Sequence, residues 1–292
     1  MLDWLTDPLQ FRFMRLALVE VIVMGTVAGL LGTYVVIRGL AFVGDAIAHA
    51  VFPGVVIAFL LKASLFAGAA LFGVLTALAI SSLALTRRIR EDTAIGIVFA
   101  GAFALGIVLI STSEGYTRDL ASFLFGEVLA VTTTDIVLSL MVGGGALVLA
   151  VALRRVLLMS SFDREMAMAL GLPVFWVDTL LLLLITLTIV ISLRAVGNVL
   201  VVAMFVTPAA TARLWVDEIG RMMVLSAALG ATAGVLGLYV SWYTDLAAGG
   251  VIVLTATALF LASLVLSPKS GLLAGFLRGR DARAGEAARV NA

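Results

Sequence analysis

The chain is dominated by continuous apolar runs of about 20 residues, separated by short polar connections. Coiled into a helix, a run of that length spans the hydrocarbon core of a lipid bilayer. Such runs lie near 15–37, 40–61, 63–85, 93–111, 135–153, 174–193, 198–214, 220–241 and 249–267. With 63% hydrophobic and 13% charged residues and a mean hydropathy of +1.20, a water-soluble fold could not hide this much apolar surface. Lipid removes that difficulty, provided each segment satisfies its own backbone amides, which selects helices. A β-barrel is excluded, because its strands alternate polar and apolar residues and these runs do not. The expected fold class is therefore all-α, a polytopic helical membrane protein with about 8–9 transmembrane helices. The run at 198–214 is short and contains Pro208, which leaves a broken or re-entrant element as its alternative reading.

Arginine-rich connections set the orientation. "TRRIRED" (86–92), "LRRVLLMSSFDRE" (153–165) and the segment after Pro268 are basic, and basic connections stay on the cytoplasmic side. Strict alternation then puts 111–135 and 243–250 outside and 213–221 inside, with the N-terminus outside and the C-terminus inside. The first apolar run lacks the basic flank and small-residue cleavage site of a signal peptide and reads as a retained span. Residues 1–267 form one transmembrane domain, and 268–292, rich in Arg, Ala and Gly, form a flexible cytoplasmic tail. The stretch 115–131 is amphipathic and suits the outer interface or the cap of a pathway.

A short cytoplasmic helix is expected within 161–173. Ser161 can cap it, Asp163, Arg164 and Glu165 fill its first turn, and Gly171 and Pro173 end it. A docking element and an ordinary connector fit these features equally. No phosphate-binding loop is present, and the only lysines are Lys62 and Lys269, so any ATP that drives this chain must be bound by another. The absence of cysteine excludes disulfides and thiolate metal sites. A net charge of +1 gives no case for a nucleic-acid partner.

One pair of residues stands against the apolar background. Asp45 and the single histidine, His49, are one helical turn apart and share a face. Ionisable groups inside a span are costly and face a cavity or each other. An imidazole and a carboxylate supply half of a first-row divalent metal site, suited to Mn, Fe or Zn. A structural Asp–His hydrogen bond and a proton relay fit the same pair. Pro53 lacks an N–H, so the His49 carbonyl loses its helical donor and can turn toward a cavity, and Gly54 loosens the next turn. Pro208 does the same to the carbonyl of Met204, and two proline-interrupted spans point to a site at the helix breaks. Other charges have simpler readings. Glu20 reads as an interfacial carboxylate, Arg38, Arg194 and Arg213 snorkel from span ends, and Asp92 and Asp178 sit at helix starts. The small-residue runs "GVLTALAISS" and "GATAGVLGL" allow close helix packing.

The order of several stretches resembles the permeases of the manganese/zinc/iron branch of ABC importers. They are "GTYVVIRGLAFVGDAIAHAVFPGVVIAFLL", "EDTAIGIVFAGAFALGIVLIS", "DLASFLFGEVLAV", "MAMALGLPV", "VGNVLVVAMFVTPAATARL" and "DLAAGGVIVLTATALFLASLVL". The resemblance covers nearly the whole chain but not the segment after Pro268, and D-A-x-x-H-A-V-x-P-G is its most specific part. It implies a type II importer-like fold in a bacterial inner membrane and a homodimer with one translocation path near its axis. Two copies of a cytoplasmic ATPase and an extracytoplasmic metal-binding protein are the other implied partners. No cofactor is bound permanently, and the divalent metal is cargo. Asp45 and His49 are implied as metal-path residues, with Met204, Thr207 and Pro208 also along the path. The motif A-x-x-L-G, here Ala167 to Gly171 with Leu170 between, marks the coupling helix that meets the ATPase. Manganese is favoured over zinc and iron by subgroup resemblance. The competing functions are an ABC permease for a metal chelate and a proton-coupled secondary carrier. An intramembrane enzyme lacks support, because one histidine without H-E-x-x-H is too little for a catalytic metal.

Overall fold

The computed structural model describes residues 6–85, 89–111 and 128–268. Most of the amphipathic stretch 115–131 and all but the first residue of the expected tail lie outside the described residues. Within the described residues the chain is helical without strands. Its helices are α1 (Arg12–Arg38), α2 (Val43–Ala50), α3 (Phe52–Leu60), α4 (Leu65–Ala84), α5 (Glu91–Ser111) and α6 (Thr133–Ala152). They continue with α7 (Arg154–Phe162), α8 (Arg164–Ala169), α9 (Val174–Val196), α10 (Asn198–Trp215), α11 (Ile219–Thr244) and α12 (Ala248–Leu266).

Eight apolar helical segments are long enough to cross a membrane, counting α2 and α3 together as Val43–Leu60. The apolar part of α10, Leu200–Trp215, is shorter. This matches the expected 8–9 spans. Pro208 does not break α10, which runs unbroken for 18 residues, or roughly 27 Å at 1.5 Å per residue. A re-entrant element at 198–214 is thus not what forms. The span that does break is the second, where Val51 separates α2 from α3 and Pro53 sits in the first turn of α3.

The helix ends meet in the groups that alternation requires. Arg38, at the end of α1, lies against Glu91 at the start of α5 and Asp178 near the start of α9. At the opposite end, Arg12 donates to Thr133 at the start of α6 (3.3 Å), and Phe11 packs on Trp242 near the end of α11 (5.2 Å between ring centres). Three ends expected inside converge on one side, and three expected outside converge on the other.

Helices α1 and α9 and the α2–α3 pair form the buried centre, whereas α5, α6 and α12 keep most of their surface open. Small residues let α1 sit there. A Cβ built on Gly25 would stand 2.7 Å from the Gly230 backbone, one on Gly29 2.5 Å from the Ser226 carbonyl oxygen, and one on Gly32 1.8 Å from that of Phe205. Backbone contact at that range permits a hydrogen bond between helices, and Ser226 Oγ donates to the Gly29 carbonyl at 2.5 Å. The hairpin of α3 and α4 closes the same way, through Gly54 against Gly68. The two small-residue runs therefore pack as expected: Gly73 faces Thr186, and Gly230, Gly234 and Gly237 face Gly25, Val21 and Ile252.

Three charged residues depart from their sequence readings. Glu20 is fully buried, not interfacial, and accepts from Ser139 Oγ at 2.7 Å between α1 and α6. Arg38 does not snorkel, because Asp178 pairs with it inside the protein at 2.7 Å. Asp178 is more than a helix-start anion, being buried with two arginines on its carboxylate. Arg213 and Asp92 are exposed, in keeping with their readings.

The glycine contacts give a test with an internal control. Gly32→Ala forces α1 away from α10 and lowers stability by about 1–3 kcal/mol, the usual cost of overpacking. Gly101→Ala on α5, where a Cβ meets nothing within 4 Å, leaves stability unchanged. Thermal unfolding of both variants in detergent, followed by size-exclusion chromatography, checks the contrast.

Candidate functional site

Helix α2 is buried at every position except Asp45 and His49. Its burial follows from its neighbours, since α5, α9, α10 and α4 all pack against it. The side chains of His49 and Asp45 are 25% and 34% exposed and stand together on the one open face. His49 Nε2 and Asp45 Oδ1 are 3.5 Å apart. Two donors each about 2.1 Å from one ion at a tetrahedral angle are separated by roughly 3.4 Å, so the pair has the spacing of two ligands to one cation.

Depth in the membrane follows from the rings beside His49. Its imidazole lies 6.0 Å from the ring centre of Phe99 and 5.3 Å from that of Phe103, both on α5. Those residues stand roughly 12–18 Å along α5 from its first residue at 1.5 Å per residue. That is the middle of a hydrocarbon core about 30 Å thick. Phe42 packs edge-on against Phe99, and Phe52 against Phe103, so one wall of the site is aromatic. No cluster of three or more His, Asp or Glu residues suited to a metal exists among the described residues. Among the described residues, one carboxylate and one imidazole thus stand together at this level.

The Val51 amide, which ends α2, donates to the Ile47 carbonyl at 3.1 Å, and Pro53 offers no amide to the His49 carbonyl. The proline also divides the span. On α10, Met204 and Pro208 are buried in the bundle, whereas Thr207 is half-buried. A Cβ on Gly44 would touch Val202 at 3.7 Å, so α10 adjoins α2 beside Asp45 through Val202, which lies about 140° around the helix from Thr207 at 100° per residue.

At the cytoplasmic end the short helix forms as expected, with one change of cap. Asp163 accepts from the Met166 amide at 2.8 Å and caps α8, while Ser161 donates to the Leu157 carbonyl of its own helix. The carboxylate displaces the hydroxyl because a charged acceptor at a helix start also meets the positive end of the helix dipole. Gly171 ends the helix at φ +78°, with its amide on the Met168 carbonyl and the Leu172 amide on that of Ala167. Ala167 is fully buried and seats the helix. Glu165 and Leu170 point outward, together with Phe162 and Met166. Beside them a groove of about 690 Å³ runs between α8 and the α4–α5 connection, lined by Glu91, Arg164, Glu165 and Met168.

Arg164 turns inward instead, onto Asp178. Around Asp178 gather Arg38 and Ser160, whose Oγ donates to it at 2.6 Å, and Glu91 lies 3.6 Å from Arg38. Sequence reasoning missed this cluster. Its signal was available, since alternation puts Arg38, Glu91 and Asp178 at one depth.

The chain matches the ABC 3 transport family over residues 10–267. The manganese transport system membrane protein MntC of Halalkalibacterium halodurans is 45% identical over 275 residues, covering 94% of each chain. The manganese import system permease protein ScaB of Streptococcus gordonii is 43% identical over 263 residues, covering 90% of this chain and 94% of its own. A solved structure, PsaBC from Streptococcus pneumoniae in complex with Fab, superposes with a TM-score of 0.79 at 42% identity, over 92% of this chain and 96% of that one. With the family matched over residues 10–267 and relatives of 43–45% identity covering at least 90% of it, this chain belongs to the ABC 3 transport family.

Proposed function

We propose that this chain is the permease of an ATP-driven importer of divalent transition-metal ions, with manganese as the favoured cargo. The observation that carries the reading is the open Asp45–His49 pair at mid-membrane depth, on a helix otherwise buried. Support for manganese comes from the names of the relatives. The donor set is hard and sparse, one carboxylate and one imidazole without thiolate, and suits an ion that must be released again.

In this reading an extracytoplasmic binding protein delivers the ion and two copies of the chain enclose the path in a bacterial inner membrane. Each copy contributes Asp45 and His49, and the two carboxylates offset the ion's lost hydration. Met204, Thr207 and Pro208 flank the path on α10, the helix that packs against α2. A cytoplasmic ATPase dimer docks on α8, with Asp163, Glu165 and Leu170 at its surface, Ala167 and Gly171 fixing its shape, and Arg164 facing the bundle. Nucleotide turnover shifts the permease between outward- and inward-facing states.

The cargo test uses bacteria lacking their own metal importers that express the permease with its ATPase and binding protein. Elemental mass spectrometry then reads cellular Mn, Fe and Zn. Manganese rises with the wild type and stays at background with His49→Ala or Asp45→Ala at equal membrane abundance. Unchanged uptake in both variants would sink the metal-path reading. A rise in zinc or iron alone would reassign the cargo.

Docking is read separately. Glu165→Lys and Leu170→Asp reduce the ATPase that co-purifies with the permease by about tenfold, because a charge is reversed or inserted at a desolvated contact. Wild-type recovery of the ATPase with both variants would remove α8 as the docking helix.

A further inference from the structure

Asp178 is 2% exposed and near the cytoplasmic start of α9, yet two arginines from different elements converge on it. Arg38, from the end of α1, is 5% exposed and donates to Oδ1 at 2.7 Å. Arg164, the first residue of α8, reaches Oδ2. Ser160 on α7 donates to Oδ1 at 2.6 Å, and Ser161 accepts from Arg38 Nε at 2.9 Å. Glu91, at the start of α5, lies 3.6 Å from Arg38 and supplies the second negative charge. Two cations and two anions thus form a neutral set that draws on α1, α5, α8 and α9. A buried pair of this kind adds little net stability over apolar packing, but removing one member leaves a charge uncompensated. Its value lies in fixing geometry.

We propose that Asp178 is a positioning residue for transport. It locks α8 to α9 and α1, so that a displacement of the ATPase-docking helix moves the transmembrane bundle as one body. The proposal rests on the reading of α8 as that docking helix. Apolar contact alone would hold α8 poorly, because it has six residues and only Ala167 is buried. The bidentate use of Asp178, one oxygen per arginine, supplies the direction that a single buried methyl group lacks. Helix α9 carries the displacement onward, since it packs against α2, where Asp45 and His49 stand.

The test measures manganese transported per ATP hydrolysed by the complete complex of permease, ATPase and binding protein in proteoliposomes. Arg164→Gln leaves Arg38 on Asp178, so the bundle keeps its buried pair. In the assembled complex, metal moved per ATP falls by about tenfold, within the usual range of a coupling energy. The double variant Arg164→Gln/Asp178→Asn leaves Arg38 with Glu91 and is balanced in charge, yet it stays uncoupled. Recovery of the wild-type ratio in the double variant would show that only charge balance matters and would overturn the proposal. So would a wild-type ratio in Arg164→Gln. Loss of the ATPase from Arg164→Gln would also overturn it, by making the arginine a docking contact. Failure of the docking reading itself appears elsewhere, as ATPase retained by Glu165→Lys and Leu170→Asp.

A second measurement needs no change in the cluster. The chain has no cysteine, so spin labels can be placed at Met166→Cys on α8 and Trp176→Cys on α9, both exposed. Their distance stays the same between the nucleotide-free and ATP-trapped complexes. A shift between those states would overturn the lock even where every cluster variant fails to fold.

Discussion

Charge in lipid has to be answered by charge, by a hydrogen bond or by water, and that constraint organises this molecule. Besides Glu20, which a hydroxyl meets, the described residues answer it in two ways. At the end expected inside, Arg38, Asp178, Arg164 and Glu91 close on one another and form a neutral knot. At mid-depth, Asp45 and His49 remain on an open face, with a separation suited to sharing an ion. The first arrangement is complete in itself. The second, paired across one helical turn, keeps about a quarter to a third of each side chain exposed.

Close helix packing makes both arrangements possible. Helix α1 reaches the centre because Gly25, Gly29 and Gly32 let it touch the backbones of α11 and α10. From there its last residue, Arg38, is carried to Asp178. Were those glycines larger, α1 would stand off by several ångströms and the arginine would meet lipid headgroups, as its place at a span end suggests. The buried ion pair is thus a consequence of small residues about two to four turns away.

Much of this was legible before any coordinates. Continuous apolar runs forced a helical membrane protein, arginine-rich connections ordered its ends, and the spacing of Asp45 and His49 placed them on one face. Gly171 ended α8 as its φ of +78° requires. The failures share a cause. Glu20, Arg38 and Asp178 were judged by depth along their own helices, but their fate depends on what other helices bring to that depth. A hydroxyl on α6 accounts for Glu20, and an arginine from α8 completes Asp178. The cap was misassigned for a local reason: Ser161 still lies within α7, where its hydroxyl bonds its own backbone, and Asp163 is the residue that enters α8 in extended geometry.

The division of the second span at Val51 gives these parts a mechanical relation. A continuous helix from 43 to 60 would transmit any tilt along its whole length. Divided, α2 packs against α9 and α10 as well as α4 and α5, while α3 packs on α5 and is fastened to α4 through Gly54 and Gly68. Helix α9 touches α2 in the membrane and holds Asp178 at its cytoplasmic start. The Asp45–His49 pair is therefore carried by a short element set off from its outer half and joined to the helix that bears the knot. Small motions at the cytoplasmic face can then change the setting of Asp45 and His49 without repacking the outer half of the bundle, because packed interfaces shift between discrete arrangements instead of deforming continuously.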